Sequence, residues 1–177
     1  MGTRSRIGLK LQDGSIISAY HHWDGYPEWL GVTLNEQYNT REKIAELIDG
    51  GNMSSCYSDS EFDYEKQEFI KRDPAPSYYG GDSEAPRLDK NFTDYCLNAK
   101  AGEEFLYVFD EDMWKAFSID HTYDDDYNVI DTKFNAVLIP DSWAVDNNIS
   151  GTMRIAFVIL CVYTTCIQTN LSHYVIF

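Results

Sequence analysis

The sequence predicts an α+β fold: a single domain over residues 1–150, with an antiparallel sheet built from two hairpins and helices packed on one face, followed by an apolar tail at 151–177. Three observations lead there. Segments 4–23 and 104–119 alternate apolar and polar residues about a tight turn signal. Segments 28–38 and 39–51 carry apolar residues at helical spacing. A chain of 177 residues buries one core without needing disulfide staples.

The first hairpin, RSRIGLKLQDGSIISAYHHW, centres on Asp13-Gly14, a pair that tolerates the positive φ of a two-residue type I′ turn. Such a turn sets Leu11 opposite Ile16, Leu9 opposite Ser18, Ile7 opposite Tyr20 and Ser5 opposite His22 on the core side. The other side then pairs Lys10 with Ile17, Arg6 with His21 and Arg4 with Trp23, where a cation–π contact fits. After the turn signals Asp24-Gly25 and Pro27, Leu30, Leu34 and Tyr38 stripe one face of a helix. NTREKIAELIDGG gives a second: Asn39 and Glu42 have capping-box spacing, Ile44, Leu47 and Ile48 form its buried face, and Gly50-Gly51 stop it.

Residues 54–88 mix turn formers, prolines and aromatics. They read as a long irregular excursion with one short helix around Tyr64–Ile70, and with Tyr78 and Tyr79 packed on the body. A helix capped near Asp89 follows, with Phe92, Cys96 and Ala99 inward and Gly102 at its end. The second hairpin turns at Glu111-Asp112, and FNAVLIP is a further strand closed by Pro140. Arg154 is the one formally charged residue of 151–177. The apolar run there, Ile155 to Ile167, is shorter than the roughly 20 residues of a membrane-spanning helix. It reads as a buried element or as a tail added by readthrough or frameshift, and no membrane partner is expected.

A net charge of −15 and a pI near 4.4 disfavour direct nucleic-acid binding, which relies on Lys and Arg neutralising phosphates. Residues 101–150 hold twelve acidic residues against Lys115 and Lys133. This acidic lobe is either a solvated face or a decoy for a basic host protein. The four cysteines form no Cys-x-x-Cys pair and no secretory signal precedes them, so reduced thiols in the cytoplasm are expected. MGTRSR has Arg6 where a myristoylation signal has Ser or Thr.

The chemistry concentrates in YHHWDGYPEWLG, residues 20–31. Adjacent on a strand, His21 and His22 point to opposite faces and cannot chelate one metal together. DDDYNVIDTKFN fails as a calcium loop, with Val129 at the turn glycine and Asn135 at the bidentate glutamate. No metal and no cofactor are expected. His22 and Asp24, at i and i+2, could serve a hydrolase-like enzyme as base and orienting carboxylate, with Ser5 the nearby serine. A second reading makes the stretch an anchor of the fold, its tryptophans buried and Asp24 bonding the turn. In the third, Arg4, Arg6, His22, Trp23, Asp24 and Tyr26 line a ligand-binding pocket, because aromatic walls with a few polar groups suit a small metabolite or peptide.

GTRSRIGLKLQDGSI, YHHWDGYPEWLGVTL, NTREKIAELIDGG and MSS together resemble a group of small uncharacterised proteins of bacteriophages and prophage-bearing bacteria. There a strand beginning Thr-Arg-Ser, a Tyr-x-His-Trp-Asp-Gly-Tyr corner and a helix pair follow in this order. The likeness covers residues 1–55. A Tyr-Gly segment of that group matches Tyr79-Gly80, but this chain continues Gly81-Asp82-Ser83 in place of Arg-Asp-Arg. The resemblance implies a phage accessory protein in the host cytoplasm, a binding module for a host macromolecule or small metabolite rather than an enzyme.

Overall fold

The loop of the first hairpin is one residue longer than the Asp13-Gly14 pair requires. The computed structural model describes residues 2–81, 84–99 and 102–142. In it, Gln12-Asp13-Gly14 joins β1 (Ser5–Lys10) to β2 (Ile16–His21). The Leu11 amide donates to the Ser15 carbonyl at 2.8 Å, the Gly14 amide donates to the Leu11 carbonyl at 3.1 Å, and Gly14 lies at φ 88°. This is a three-residue loop closed by a left-handed glycine. Asp13 holds it, its carboxylate accepting from the Ser15 amide at 3.0 Å and hydroxyl at 2.6 Å. The register is therefore Ser5 opposite His21, Arg6 opposite Tyr20, Gly8 opposite Ser18 and Leu9 opposite Ile17. Because side chains alternate with period two, this one-residue slip exchanges the faces of β2. His21, not His22, joins Ser5, Ile7 and Leu9, and Tyr20 joins Arg6.

The sheet is mixed, which corrects the antiparallel sheet expected from the sequence. Its remaining strands are β3 (Met53–Asp63), β4 (Glu68–Tyr78), β5 (Arg87–Asp89), β6 (Phe105–Asp110), β7 (Met113–Tyr123) and β8 (Val129–Val137). Their spatial order is β4-β3-β2-β1-β6-β7-β8, with β5 also on β2. β1 is antiparallel to β2 but parallel to β6, and β2 is parallel to β3. Alternation reports which face a strand buries, not which distant strand lies beside it. Strands cover 46% of the described residues and helices 20%, so the sheet outweighs its helical cover.

Much of that excess comes from residues 54–88, where a bulged hairpin, β3–β4, replaces the expected irregular excursion and its helix at Tyr64–Ile70. Its register shifts between Met53 and Ser55, Ser55 and Ser58, and Ser58 and Ser60, and each bulge breaks the period-two signal. Pro74 and Pro76 lie on β4, at the sheet's outer edge, where a missing N–H costs no ladder bond.

Helices cover both faces, not one. On the first, a π-helical turn (Pro27–Gly31), α1 (Val32–Gln37) and α2 (Arg41–Asp49) bring Leu30, Leu34, Ile44, Leu47 and Ile48 against Ile7, Leu9, Ala19 and Tyr107. Thr40 rather than Asn39 caps α2, its Oγ1 accepting from the Lys43 amide at 3.4 Å. On the second, α3 (Phe92–Leu97) sets Tyr95 and Cys96 against Ile16, Leu106, Val108, Phe117 and Ile119. In β1 the second layer is hidden from pattern reading because its even positions are Arg6 and Gly8. Gly8 leaves the space that Tyr95 fills, and the single Tyr95 hydroxyl hydrogen is shared between the Arg6 carbonyl at 3.0 Å and the Tyr107 carbonyl at 2.9 Å.

The readings of 151–177 lie outside the described residues. Among the described residues no helix is long and apolar enough to cross a membrane.

Candidate functional site

At one end of the sheet the beginnings of β1, β3 and β6 meet the ends of β2 and β4. There an open cleft of about 590 Å³ is lined by Arg4, Tyr20, His22, Asn52, Tyr79, Glu84, Gly102 and Glu103. Strand pairing creates it. The edge of β2 facing away from β1 is shared: β5 covers Ile16–Ser18 and β3 meets it at His21. The Tyr20 amide between them donates instead to the Asn52 side-chain oxygen at 2.7 Å. The Asn52 amide nitrogen Nδ2 donates to Glu84 Oε2 at 2.8 Å. Asn52 is further held by its backbone, its N–H donating to the Glu84 carbonyl at 2.7 Å and its carbonyl accepting from the Tyr79 amide at 3.1 Å.

The two arginines of the first strand have different electrostatic settings. Arg6 Nε donates to Glu103 Oε1 at 3.0 Å with the side chains 2% and 0% exposed, a charge pair below the cleft floor. Arg4 is half-buried, and among the described residues no carboxylate pairs with its guanidinium. Burial pushes the ionisation of the Tyr20 phenol to higher pH, against the pull of the Arg4 charge. The Tyr20 hydroxyl lies 2.9 Å from His22 Nδ1. The His22 ring is wedged edge-on among Trp23 (centroids 4.5 Å), Tyr20 (5.9 Å) and Tyr79 (6.4 Å).

Of the six residues expected to bind ligand, Arg4 and His22 line the cleft. Arg6 lies buried under it. Trp23, 48% exposed, packs on the flank of His22 and against Gly2. Asp24 is exposed at φ 56°, past the end of β2, where the strand alternation that would share a face with His22 has stopped. Tyr26 is exposed and leads into the π-helical turn. Tyr20, not Asp24, is the hydrogen-bond partner of His22 Nδ1. Ser5 contacts His21 instead, Oγ to Nδ1 at 3.4 Å, both buried.

Tyr20, Asn52, Tyr79, Glu84, Gly102 and Glu103 were not among the expected site residues. Only Tyr20 is near His22 in sequence, and the others arrive through strand pairing from thirty or more positions away.

The acidic lobe is partly self-neutralised. Asp110 takes Lys10 at 3.2 Å and Lys115 at 2.8 Å, and Lys115 also reaches Glu111 at 3.0 Å. Burial raises the Asp110 carboxyl, but the lysine hydrogen bonds outweigh it and leave the group below its ordinary value. Asp124 Oδ1 accepts from the Asp126 amide at 2.9 Å and the Asn128 amide at 2.8 Å, closing its own turn. Among the described residues no group of three or more His, Cys, Asp or Glu could hold a metal ion.

Fold and site together define a class: a mixed sheet with helices on both faces and a polar, aromatic-walled cleft where its strands diverge. Comparison with protein-family models, curated proteins and solved structures finds no match in any of the three.

Proposed function

We propose that the protein is a non-catalytic binding module whose cleft takes a small metabolite. The observation that carries this is the cleft itself. Its volume of about 590 Å³ falls within the roughly 300–1,000 Å³ of small-molecule sites, and phenol walls with a few fixed polar groups are what such sites use. Asn52, Tyr20 and His22 are held in place by hydrogen bonds, so binding would not have to order them. A phage accessory role in the host cytoplasm is part of this proposal and is supported by the resemblance over residues 1–55.

Hydrolysis has less support, because the serine it would need is buried against His21. The decoy reading retains the exposed aspartates of the β7–β8 hairpin, Asp120, Asp124, Asp125, Asp126 and Asp131, but loses Glu103 and Asp110 to ion pairs.

The test is a thermal-shift screen of the full-length protein against nucleotides and metabolites. A ligand at 100 times its Kd should add roughly 2.7 kcal/mol, and Tyr79→Ala and His22→Ala should remove the shift without lowering the unliganded Tm by more than a few degrees. No stabilisation across a broad library sinks the proposal.

A further inference from the structure

The cleft's charges are unevenly committed, and that imbalance identifies what it recognises. Glu103 is held by Arg6 from below, and Glu84 has Oε2 engaged by Asn52. Both carboxylates that line the cleft thus take part in its frame. The Arg4 guanidinium, by contrast, makes no ion pair among the described residues. His22 lines the same cleft and meets the Tyr20 hydroxyl through Nδ1, so Nε2 is its remaining ring nitrogen. Gly102 passes beside the guanidinium, where a Cβ would lie in ordinary contact 3.7 Å from an Arg4 terminal nitrogen, and its φ of 101° is what calls for glycine.

We propose that the cleft recognises its ligand through an anionic group, a carboxylate or a phosphate, held between the Arg4 guanidinium and the His22 imidazole, with the ligand's ring against the Tyr79 phenol. The inference rests on the reading of the cleft as a small-molecule site and adds the chemistry of the ligand. A planar guanidinium matches either oxyanion in two-point contact. In a chain of net charge −15 long-range attraction cannot gather anions, so the selectivity is local and belongs to Arg4.

The experiment is calorimetric titration of the full-length protein with phenyl phosphate, benzoate, benzyl alcohol and benzylamine, alongside NMR of the His22 imidazole. One or both anions should bind at least about ten-fold more tightly than the alcohol and the amine, the margin of a charge-assisted hydrogen bond; comparing the anions separates phosphate from carboxylate. Arg4→Gln should abolish that margin and Arg4→Lys restore part of it, both keeping the wild-type Tm. Tyr79→Ala should weaken all bound probes alike. Equal binding of neutral or cationic probes, or an Arg4→Gln variant with its anion affinity intact, overturns the anion inference while leaving the cleft reading standing. Binding of none of the four probes also overturns it, and the metabolite screen then decides separately whether the cleft binds anything.

Discussion

His21 and His22 are adjacent and chemically identical, yet one residue of strand twist gives them opposite roles. His22 faces the cleft. His21 is fully buried, its Nε2 has no hydrogen-bond partner, and burial pulls its pKa down to about 3. In the pH range between about 6.5 and about 3 the unfolded chain therefore binds a proton at His21 that the native protein does not. Stability from this residue is full above that range and falls by about 1.4 kcal/mol per unit as pH drops through it. Urea unfolding of the wild type should thus lose about 2 kcal/mol between pH 7 and pH 5, and His21→Leu should show a correspondingly shallower slope. Equal slopes would refute the assignment. That the two rings point apart was legible from strand alternation alone. Which of them goes inward was not, because that depends on the length of a loop seven residues away.

At the scale of elements, that loop shows how local chemistry decides a distant geometry. Asp13-Gly14 marks a turn in either form, and the side-chain bonds from Ser15 to Asp13 favour the three-residue one. Gly14 carries positive φ, and a Cβ there would meet nothing within 4 Å. Gly14→Ala therefore tests backbone strain alone: it should destabilise by about 1–2 kcal/mol, and Gly14→Asn by less, as read from the urea midpoint. An unchanged midpoint in Gly14→Ala would place the turn in another conformation. The helix faces were legible because Ile44, Leu47 and Ile48 need only their own periodicity. So was the second hairpin's turn, where Glu111 and Asp112 lie at φ 52° and 58°. The β3–β4 hairpin was not, since three bulges scatter the alternation that would have announced it.

For the whole molecule, the decisive contact joins residues 97 apart, Arg6 to Glu103. It sits where β1 meets β6 in parallel, beneath the cleft, and both charges are shielded from water. Removing one partner leaves the other buried and uncompensated. Arg6→Met should cost about 3–5 kcal/mol, whereas Arg6→Met with Glu103→Leu should recover much of the loss. Additive costs in that double-mutant cycle would show that the two charges do not act as a pair. The same parallel pairing brings Gly102 and Glu103 beside Arg4, and β3 and β4 bring Asn52 and Tyr79 to Tyr20 and His22.

By itself, the sequence determined the turns of the β1–β2 and β6–β7 hairpins, the apolar faces of the first helices and the presence of Arg4 and His22 near one corner of the fold. These depend on spacings of two to four residues and on turn chemistry, energies that act within a few positions of their source. Tertiary structure alone decided the parallel neighbours of β1 and the completion of the cleft by Asn52, Tyr79, Glu84 and Glu103. Those outcomes come from burial and charge compensation between segments 30 to 100 positions apart, where many pairings satisfy the local pattern and only the packed whole selects among them.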